Sequence, residues 1–382
     1  MNALALDASR AVKRNSPRRF ARATSLLFMG TAVSLGAFGV SMKAHAADAP
    51  ESAMSVTGTK YKADGDMAKL LMELAALNGK PIETLDPAEA RKQPTPADAV
   101  MAILKKKGKD TSPTALVPGV TSADRQIPGP ASSLPVRIYT PEGKGPFPVI
   151  VYYHGGGWVI ASKEVYDGGA RGLSKQAKAI VVSVDYRLAP EAKFPAAWDD
   201  SLAAYKWVAA NAATLNGDPK KLALAGESAG GNLALATAVA VKKANLQAPL
   251  AVLAVYPVGQ TGDLETPSYV DSATAKPLNK AMIGWFVDKL FAKPDDKKDT
   301  RVDVVHADLS GLPPVTIINA QIDPLRSDGD LLTTALKKAG VQVEHKIYSG
   351  VTHEFFGTAA VVGDAADAQE FGGKQLRKAF GN

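Results

Sequence analysis

From about residue 134 onward, short apolar segments alternate with stretches of helical length. The segments that read as strands are Pro135–Tyr139, Val149–Tyr153, Ile180–Val184, Leu222–Ala225, Leu250–Tyr256, Val315–Asn319 and Val341–Tyr348. The stretches between them with helical spacing include Ala196–Leu215, Asn232–Ala244 and Ser327–Ala339. Strands that are apolar throughout are buried on both faces, and strands that alternate with helices form parallel sheets. The sequence therefore predicts an α/β fold, with a mostly parallel central sheet covered by helices on both faces.

The region before this alternation has a different pattern. Residues 47 to about 62 are small and polar and predict a flexible tether, whereas residues 64–78 and 87–107 have helix-like apolar spacing. We therefore expect residues 47–127 to form a tether and an N-terminal helical segment that caps the main domain. Residues 128–382 are expected to form that main α/β domain.

One stretch interrupts the alternation within the main domain. Residues 259–301 are rich in charged and turn residues, but they contain an amphipathic piece at Lys280–Phe291. We expect this excursion to contribute to the cap over a site. The alternative is an ordinary surface helix whose aromatic residues serve only in packing.

The first 46 residues have the three parts of an export signal. A basic segment ends at Arg22, an apolar stretch covers Ser25–Val40, and Ala44-His45-Ala46 provides small residues at a cleavage site before Ala47. We expect removal after Ala46 and a periplasmic or secreted mature chain that does not enter the membrane. An uncleaved anchor is the alternative, and the sequence leaves open whether the general secretory or the twin-arginine route is used.

Charge and cysteine content exclude several classes of function. The leader has seven Lys or Arg against one acid, so it carries +6 of the formal net charge of +7. The remainder has a net charge of only +1 and does not indicate a nucleic-acid surface. The chain has no cysteine, which excludes disulfides, thiolate metal sites and a cysteine nucleophile. The sequence does not decide between a monomer and a homodimer.

A serine lies between glycines in the run Ala225-Gly226-Glu227-Ser228-Ala229-Gly230-Gly231. An apolar strand precedes this run and a helix-like stretch follows it, which is the strand, sharp turn and helix of a nucleophile elbow. This context predicts that Ser228 is the nucleophile of a serine hydrolase. The alternative is a glycine-rich turn that only allows a helix to pack closely.

A serine hydroxyl needs a neighbouring base, and the chain has five histidines. His45 is in the leader, His154 precedes glycines at a strand end, His306 precedes the candidate acid, and His345 is within a strand. His353 follows the last strand in a loop, where an imidazole can reach a serine. The chain order serine, acid, histidine predicts His353 as the base.

The acid that orients the base should follow a strand that lies between the serine and the histidine. Asp323 does so, at the end of the run Asn319-Ala320-Gln321-Ile322-Asp323 that continues the segment Val315–Asn319. Asp328 and Asp330 are the rivals, but both are in the succeeding helix, where a solvated or helix-dipole role is expected for a carboxylate. We therefore predict Asp323.

Acyl transfer also needs hydrogen-bond donors for the oxyanion that forms on the substrate. The run His154-Gly155-Gly156-Gly157-Trp158 follows a strand, and glycines let backbone N–H groups approach a substrate. We predict an oxyanion hole formed by the N–H groups of Gly155 and Gly156, with that of Ala229 next to the nucleophile.

These motifs, together with Asp185–Glu191, resemble the bacterial hormone-sensitive-lipase-like carboxylesterases, over about residues 66–380. The resemblance implies an α/β-hydrolase fold with a helical cap, no metal or cofactor, and hydrolysis of short to medium acyl esters. It also implies that Asp185–Glu191 braces the oxyanion loop. Glu227 departs from the family, in which Asp or Thr is more frequent at this position.

The sequence thus predicts a serine carboxylesterase whose partner is a small-molecule ester. Hydrolysis of amides, lactones or sugar acetates by the same residues stays open, because side chains of the cap shape the acyl and alcohol pockets. A non-catalytic small-molecule receptor of the same fold is the alternative from a different class.

Overall fold

The computed structural model describes residues 56–382, so the predicted export signal and most of the predicted tether lie outside the described residues. One 8-stranded sheet forms the centre of this part of the chain. Its strands are β1 (Val120–Pro128), β2 (Ser133–Pro141), β3 (Phe147–Tyr153), β4 (Ile180–Val184), β5 (Gly217–Glu227), β6 (Val252–Val255), β7 (Val315–Ile322) and β8 (Val343–Thr352). Their order across the sheet is β1-β2-β4-β3-β5-β6-β7-β8. The pairs β1–β2 and β2–β4 are antiparallel, and every other pair is parallel.

Helices precede the sheet in the chain and connect its strands. They are α1 (Gly65–Ala76), α2 (Pro87–Ala90), α3 (Pro96–Lys106), α4 (Pro113–Leu116), α5 (Asp167–Ala177), α6 (Ala196–Asn211), α7 (Ala229–Lys243), α8 (Pro267–Asp271), α9 (Lys280–Leu290), α10 (Arg326–Lys338) and α11 (Gly363–Phe380). Short 3₁₀ segments cover Ile82–Thr84, Ala212–Leu215, Pro294–Lys298, Val304–His306 and Phe356–Thr358. The predicted α/β-hydrolase fold is confirmed.

The two faces of the sheet bury separate cores because successive side chains of a strand point to opposite sides. On one face, Val149 and Val151 of β3 pack in the same cluster as residues of α6, α7 and α10. On the other face, Ile150 and Tyr152 of β3 pack with residues of α5 and α11. All of β3 is buried, as its continuous apolar run predicts.

Two details of the sequence prediction differ from the structure. β1 was not predicted, because most of its residues are exposed and it lacks an apolar pattern. It pairs with β2 along its whole length, so the sheet begins at Val120, before the boundary predicted at residue 128. The predicted helix over residues 87–107 is two helices, α2 and α3, and Thr95 with Pro96 starts the second through a capping box.

The N-terminal helices and the excursion at residues 259–301 meet each other over the C-terminal ends of the strands. The Trp285 indole N–H donates to the Leu85 carbonyl at 3.1 Å, and the Asn279 amide donates to the Glu83 carboxylate at 3.1 Å. Met67 and Leu70 of α1 pack in the same cluster as Val100 of α3. Within residues 56–382, no helix has both the length and the apolar character that a membrane span requires.

Adjacent leucines in α10 provide a test of the described packing. Leu332 is fully buried against the sheet, whereas Leu331 is 39% exposed. We expect Leu332→Ala to lower the free energy of unfolding by about 2–5 kcal/mol, because it leaves a cavity in the core. Leu331→Ala is the matched control and should change it by no more than about 0.5 kcal/mol. Urea unfolding followed by circular dichroism measures both values, and equal effects would contradict the described orientation of α10.

Candidate active site

Ser228 lies at the sharp turn between β5 and α7, and its backbone is in a sparsely populated conformation. Its φ is 57° and its ψ is −119°, which costs a non-glycine residue about 1–3 kcal/mol. The neighbouring strand holds it there, because the Ser228 N–H donates to the Val255 carbonyl at 2.8 Å. A Cβ on Gly230 would lie 2.0 Å from the Tyr153 carbonyl oxygen, so only glycine allows α7 to start this close to β3. The predicted strand, turn and helix are present.

The three residues predicted for catalysis lie in one hydrogen-bonded row. His353 Nε2 is 2.9 Å from Ser228 Oγ, and His353 Nδ1 is 2.7 Å from Asp323 Oδ2. The other carboxylate oxygen of Asp323 accepts the Leu325 N–H at 2.8 Å, which fixes the orientation of the carboxylate. Asp323 follows β7 and His353 follows β8, so the parallel sheet brings both to the edge at which Ser228 lies. This arrangement is what base-assisted attack by a serine requires.

The electrostatic surroundings of His353 favour its protonated form. Burial by itself lowers the pKa of a histidine, yet the pKa of His353 is above its ordinary value of 6.5. The Asp323 carboxylate is the strongest raising influence, followed by Glu354 and Glu227. A protonated imidazole is the species that forms when a serine gives up its proton, so these charges stabilise that species.

The rival acids do not approach His353. Asp328 Oδ2 accepts the Gly259 N–H at 2.9 Å, and Asp330 lies 3.9 Å from Nδ1 of a different histidine, His345. Asp328 is fully buried rather than solvated, and burial raises its pKa to about 8. Asp328 is therefore largely neutral near pH 7 and has a structural role. Of the two roles expected for it, solvation is not observed, while its place in the first turn of α10 is the one that a helix-dipole role requires.

The glycine loop after β3 adjoins the nucleophile. Gly156 lines the same cavity as Ser228, and its φ of 95° favours glycine. The described residues include no acceptor for the N–H of Gly155 or of Gly156. Ala229 is the first residue of α7, so its N–H has no acceptor within the helix. Of the three residues whose N–H groups were predicted as an oxyanion hole, Gly156 lines the cavity, whereas Gly155 and Ala229 are buried and do not line it. Gly157, which was not predicted, also lines the cavity.

The segment Asp185–Glu191 contacts the glycine loop, as the resemblance implied. The Tyr186 hydroxyl donates to the His154 carbonyl at 2.8 Å, and its ring stacks on the His154 imidazole with centroids 4.4 Å apart. The Ala189 N–H donates to the Trp158 carbonyl at 2.8 Å. His154 is thus a packed structural residue, and burial lowers its pKa.

Sequence reasoning missed an arginine of the N-terminal segment that braces the same loop. Arg91 donates from Nε to the Val159 carbonyl at 2.8 Å and forms an ion pair with Glu191 at 2.7 Å. Arg91 is 68 residues from Val159 and 100 residues from Glu191 in the sequence, so no local pattern signals these contacts. They join the N-terminal segment to the glycine loop and to Glu191.

Sequence reasoning also missed the surroundings of Glu227, the residue before the nucleophile. Its carboxylate is buried and accepts hydrogen bonds from the hydroxyls of Tyr152 and Tyr256. Tyr152 belongs to an apolar strand and reads as a core residue, so its hydroxyl gave no signal. Tyr166, a third buried tyrosine, donates to Glu354 at 2.9 Å.

A cavity of about 490 Å³ opens above Ser228 and His353. Its walls are largely apolar and come from the N-terminal segment, the glycine loop and the excursion, including Leu71, Leu74, Ile160, Met282 and Phe286. Its size and apolar lining are those of a small-molecule site. Across residues 56–382, no group of three His, Asp or Glu side chains is arranged to hold a metal ion.

The chain is similar in sequence to known ester hydrolases. A family model described as the alpha/beta hydrolase fold matches residues 150–357. The chain is 38% identical to "Carboxylesterase NlhH" of Mycobacterium tuberculosis over 292 residues, which are 75% of this chain and 91% of that protein. It is 32% identical to "Ethyl acetate hydrolase" of Pseudomonas putida over 304 residues, 77% of this chain and 92% of that protein.

Solved structures extend the comparison to the fold. The esterase of Pyrobaculum calidifontis superposes with a TM-score of 0.72 at 33% identity, over 80% of this chain and 97% of that chain. The metagenomic carboxylesterase EstE1 superposes with a TM-score of 0.70 at 33% identity, over 78% of this chain and 98% of that chain. The chain therefore belongs to the hormone-sensitive-lipase-like carboxylesterases of the α/β-hydrolase fold family and is a carboxylic ester hydrolase.

Proposed function

We propose that this enzyme hydrolyses short to medium acyl esters through an acyl-enzyme on Ser228. The observation that carries the proposal is the row of hydrogen-bond distances from Ser228 through His353 to Asp323. The three side chains are at least 95% buried, since Ser228 is 5% exposed, His353 3% and Asp323 0%. Burial of this kind fixes the side chains before a substrate arrives, which is how preorganised sites lower activation barriers.

The reaction begins when Ser228 Oγ attacks the carbonyl carbon of the ester. His353 Nε2 accepts the hydroxyl proton, and Asp323 keeps the imidazole oriented and stabilises its positive charge. The negative charge that forms on the substrate oxygen is stabilised by the N–H groups of Gly155, Gly156 and Ala229. The protonated His353 then gives its proton to the alcohol as the carbon–oxygen bond breaks. Water, deprotonated by His353, releases the acid from Ser228.

The cavity supports a small ester as the substrate. A volume of about 490 Å³ is in the range of sites for small ligands, and its apolar walls favour an alkyl or aryl chain. Two relatives, a carboxylesterase and an ethyl acetate hydrolase, are in keeping with this substrate class. Amides, lactones and sugar acetates are the alternative substrates for the same chemistry.

We also propose that the mature enzyme begins at Ala47 and works in the periplasm or after secretion. The basic segment, the apolar stretch and the small residues at Ala44-His45-Ala46 support export. N-terminal sequencing of the protein recovered outside the cytoplasm tests this proposal. Ala47 as the first residue is expected, and an intact leader on cytoplasmic protein would contradict it.

Substrate range is tested with p-nitrophenyl esters from acetate to laurate, assayed with wild type and Ser228→Ala. We expect turnover by the wild type to be highest at short chains, and Ser228→Ala to lose at least about a thousandfold in kcat while its circular dichroism spectrum is unchanged. p-Nitroanilides of the same acyl chains, followed by release of p-nitroaniline, and lactones and sugar acetates, followed by release of acid, serve as alternative substrates. Turnover by Ser228→Ala close to that of the wild type would contradict the proposal.

Asp323 and Asp328 form a matched pair, because both are fully buried and only Asp323 contacts His353. We expect Asp323→Asn to lower kcat by about a thousandfold or more, because the imidazole loses its orientation and a neighbouring charge. Asp328→Asn should keep near-wild-type kcat, since an amide oxygen can also accept the Gly259 N–H. Steady-state assays measure both, and equal losses would contradict the assignment of Asp323.

Asp328→Asn also has a predicted effect on stability. The unfolded chain loses the Asp328 proton near the ordinary pKa of 3.8, whereas the folded protein keeps it to about pH 8. The contribution of this side chain to the free energy of unfolding therefore falls between about pH 4 and pH 8. Thermal unfolding should show Asp328→Asn gaining stability relative to wild type as pH rises over this range. A difference in stability between Asp328→Asn and wild type that does not change with pH would contradict the raised pKa of Asp328 in the folded protein.

The pH dependence of kcat/KM is expected to report the protonation of His353. The neutral imidazole is needed as the base, so activity should fall as pH falls through its pKa in the free enzyme. Because that pKa is above 6.5, we expect the midpoint of the acid limb above pH 6.5. A midpoint well below this value, measured with a soluble p-nitrophenyl ester, would contradict the described electrostatics.

A further inference from the structure

The carboxylate of Glu227 lies beneath the hydrogen-bonded row of Ser228, His353 and Asp323, but the proposed reaction does not use it. Its side chain is 1% exposed, and both of its oxygens accept a hydrogen bond from a tyrosine, one from Tyr152 and one from Tyr256. Burial raises the pKa of both tyrosines well above their ordinary value of 10.0, so both hydroxyls stay protonated and donate. The carboxylate is therefore held in one orientation.

The fold makes room for this carboxylate beside the Tyr152 hydroxyl. A Cβ on Gly169 of α5 would lie 2.0 Å from Glu227 Oε1 and 3.1 Å from the Tyr152 hydroxyl, so any larger residue there would displace the carboxylate. Tyr152 comes from β3 and Tyr256 directly follows β6. Elements on three sides of Glu227 thus fix its position, and a side chain shorter by one methylene would not reach both hydroxyls from the same backbone.

One of the two tyrosines also contacts the base. The Tyr256 ring packs against the His353 imidazole, with centroids 4.5 Å apart and planes inclined at 49°. The backbone of Tyr256 has a φ of 33°, an uncommon conformation that directs the ring to this position. A direct path of contacts therefore joins Glu227 to His353 through the Tyr256 ring.

We propose that Glu227 is a positioning residue for His353: its carboxylate fixes the Tyr256 ring against the imidazole, and its negative charge stabilises the imidazolium that forms when Ser228 is deprotonated. This inference rests on the proposed function of His353 as the base. It assigns a role to the glutamate that replaces the usual Asp or Thr beside the nucleophile. The longer side chain is what lets one carboxylate reach both tyrosines.

The charges around the base are consistent with this role. His353 faces three carboxylates: Asp323 after β7, Glu354 in its own loop and Glu227 at the end of β5. Tyr166 and Tyr152 are neutral neighbours of these carboxylates. Burial raises the pKa of Glu227 to about 7, against the lowering effects of the two tyrosines and His353. The Glu227 carboxylate and the His353 imidazolium each favour the charged form of the other, so their titrations are coupled.

The test is the pH profile of kcat/KM for Glu227→Gln, which keeps the size of the side chain and removes its charge. We expect the acid limb to move to lower pH by about 0.5–1 unit, because the imidazolium loses a stabilising charge. The plateau of the same kcat/KM profile should fall by about 3- to 10-fold for the same reason. A limb and a plateau that do not move would overturn the proposal, since packing alone does not set the pKa of His353.

Two tyrosine variants distinguish the effect of the contact between the Tyr256 ring and His353 from a general loss of packing. Tyr152→Phe and Tyr256→Phe each remove one donor to the same carboxylate, but only Tyr256 touches His353. We expect Tyr256→Phe to lower kcat about 3-fold more than Tyr152→Phe, at similar thermal stability. Equal losses would overturn the role of the ring. If Glu227→Gln does not fold, the difference in kcat between these two variants still tests the proposal.

A readout other than activity separates this inference from the proposed function. The titration of the His353 imidazole is followed by proton NMR of the folded protein and assigned by its absence in His353→Gln. A lower pKa of His353 in Glu227→Gln supports the inference even if no ester is turned over, whereas an unchanged pKa overturns it. If the wild type shows no serine-dependent turnover, that result contradicts the proposed function and not this inference.

Discussion

The strained backbone of Ser228 is the constraint on which the rest of the site depends. A positive φ at a non-glycine residue is unfavourable and persists only where its surroundings hold it. Here β6 binds the serine N–H on one side, and α7 begins against β3 because Gly230 has no side chain. The turn projects the hydroxyl above the sheet, where loops from β7 and β8 deliver Asp323 and His353. The parallel order of these strands thus determines which residues meet.

The cap also depends on contacts between residues that are far apart in the sequence. Arg91 joins the N-terminal segment to the glycine loop and to Glu191, while Trp285 of the excursion donates to the Leu85 carbonyl of that segment. The cavity above Ser228 therefore has a roof made of two distant parts of the chain. The glycine loop below it is held by one of the same contacts, the hydrogen bond from Arg91 to the Val159 carbonyl.

The features that depend on local sequence could be predicted, and those that depend on packing could not. Ser228, Asp323 and His353 each follow a strand with a recognisable pattern, so chain order alone selected them, and the structure brings them within hydrogen-bond distance. β1 was missed because an exposed edge strand has no apolar alternation. Burial raises the pKa of Asp328, and two buried tyrosines donate hydrogen bonds to Glu227. Both features depend on elements that are distant in the sequence, so no local pattern indicates them.

The most direct measurement of the central claim is mass spectrometry of the protein after reaction with diethyl p-nitrophenyl phosphate, which phosphorylates activated serines. We predict one diethylphosphoryl group per chain, on the peptide that contains Ser228, with release of one equivalent of p-nitrophenol. His353→Gln, which keeps the serine but removes its base, should react far more slowly. An adduct on another residue, or ester turnover that continues in fully modified protein, would contradict the claim that Ser228 is the nucleophile.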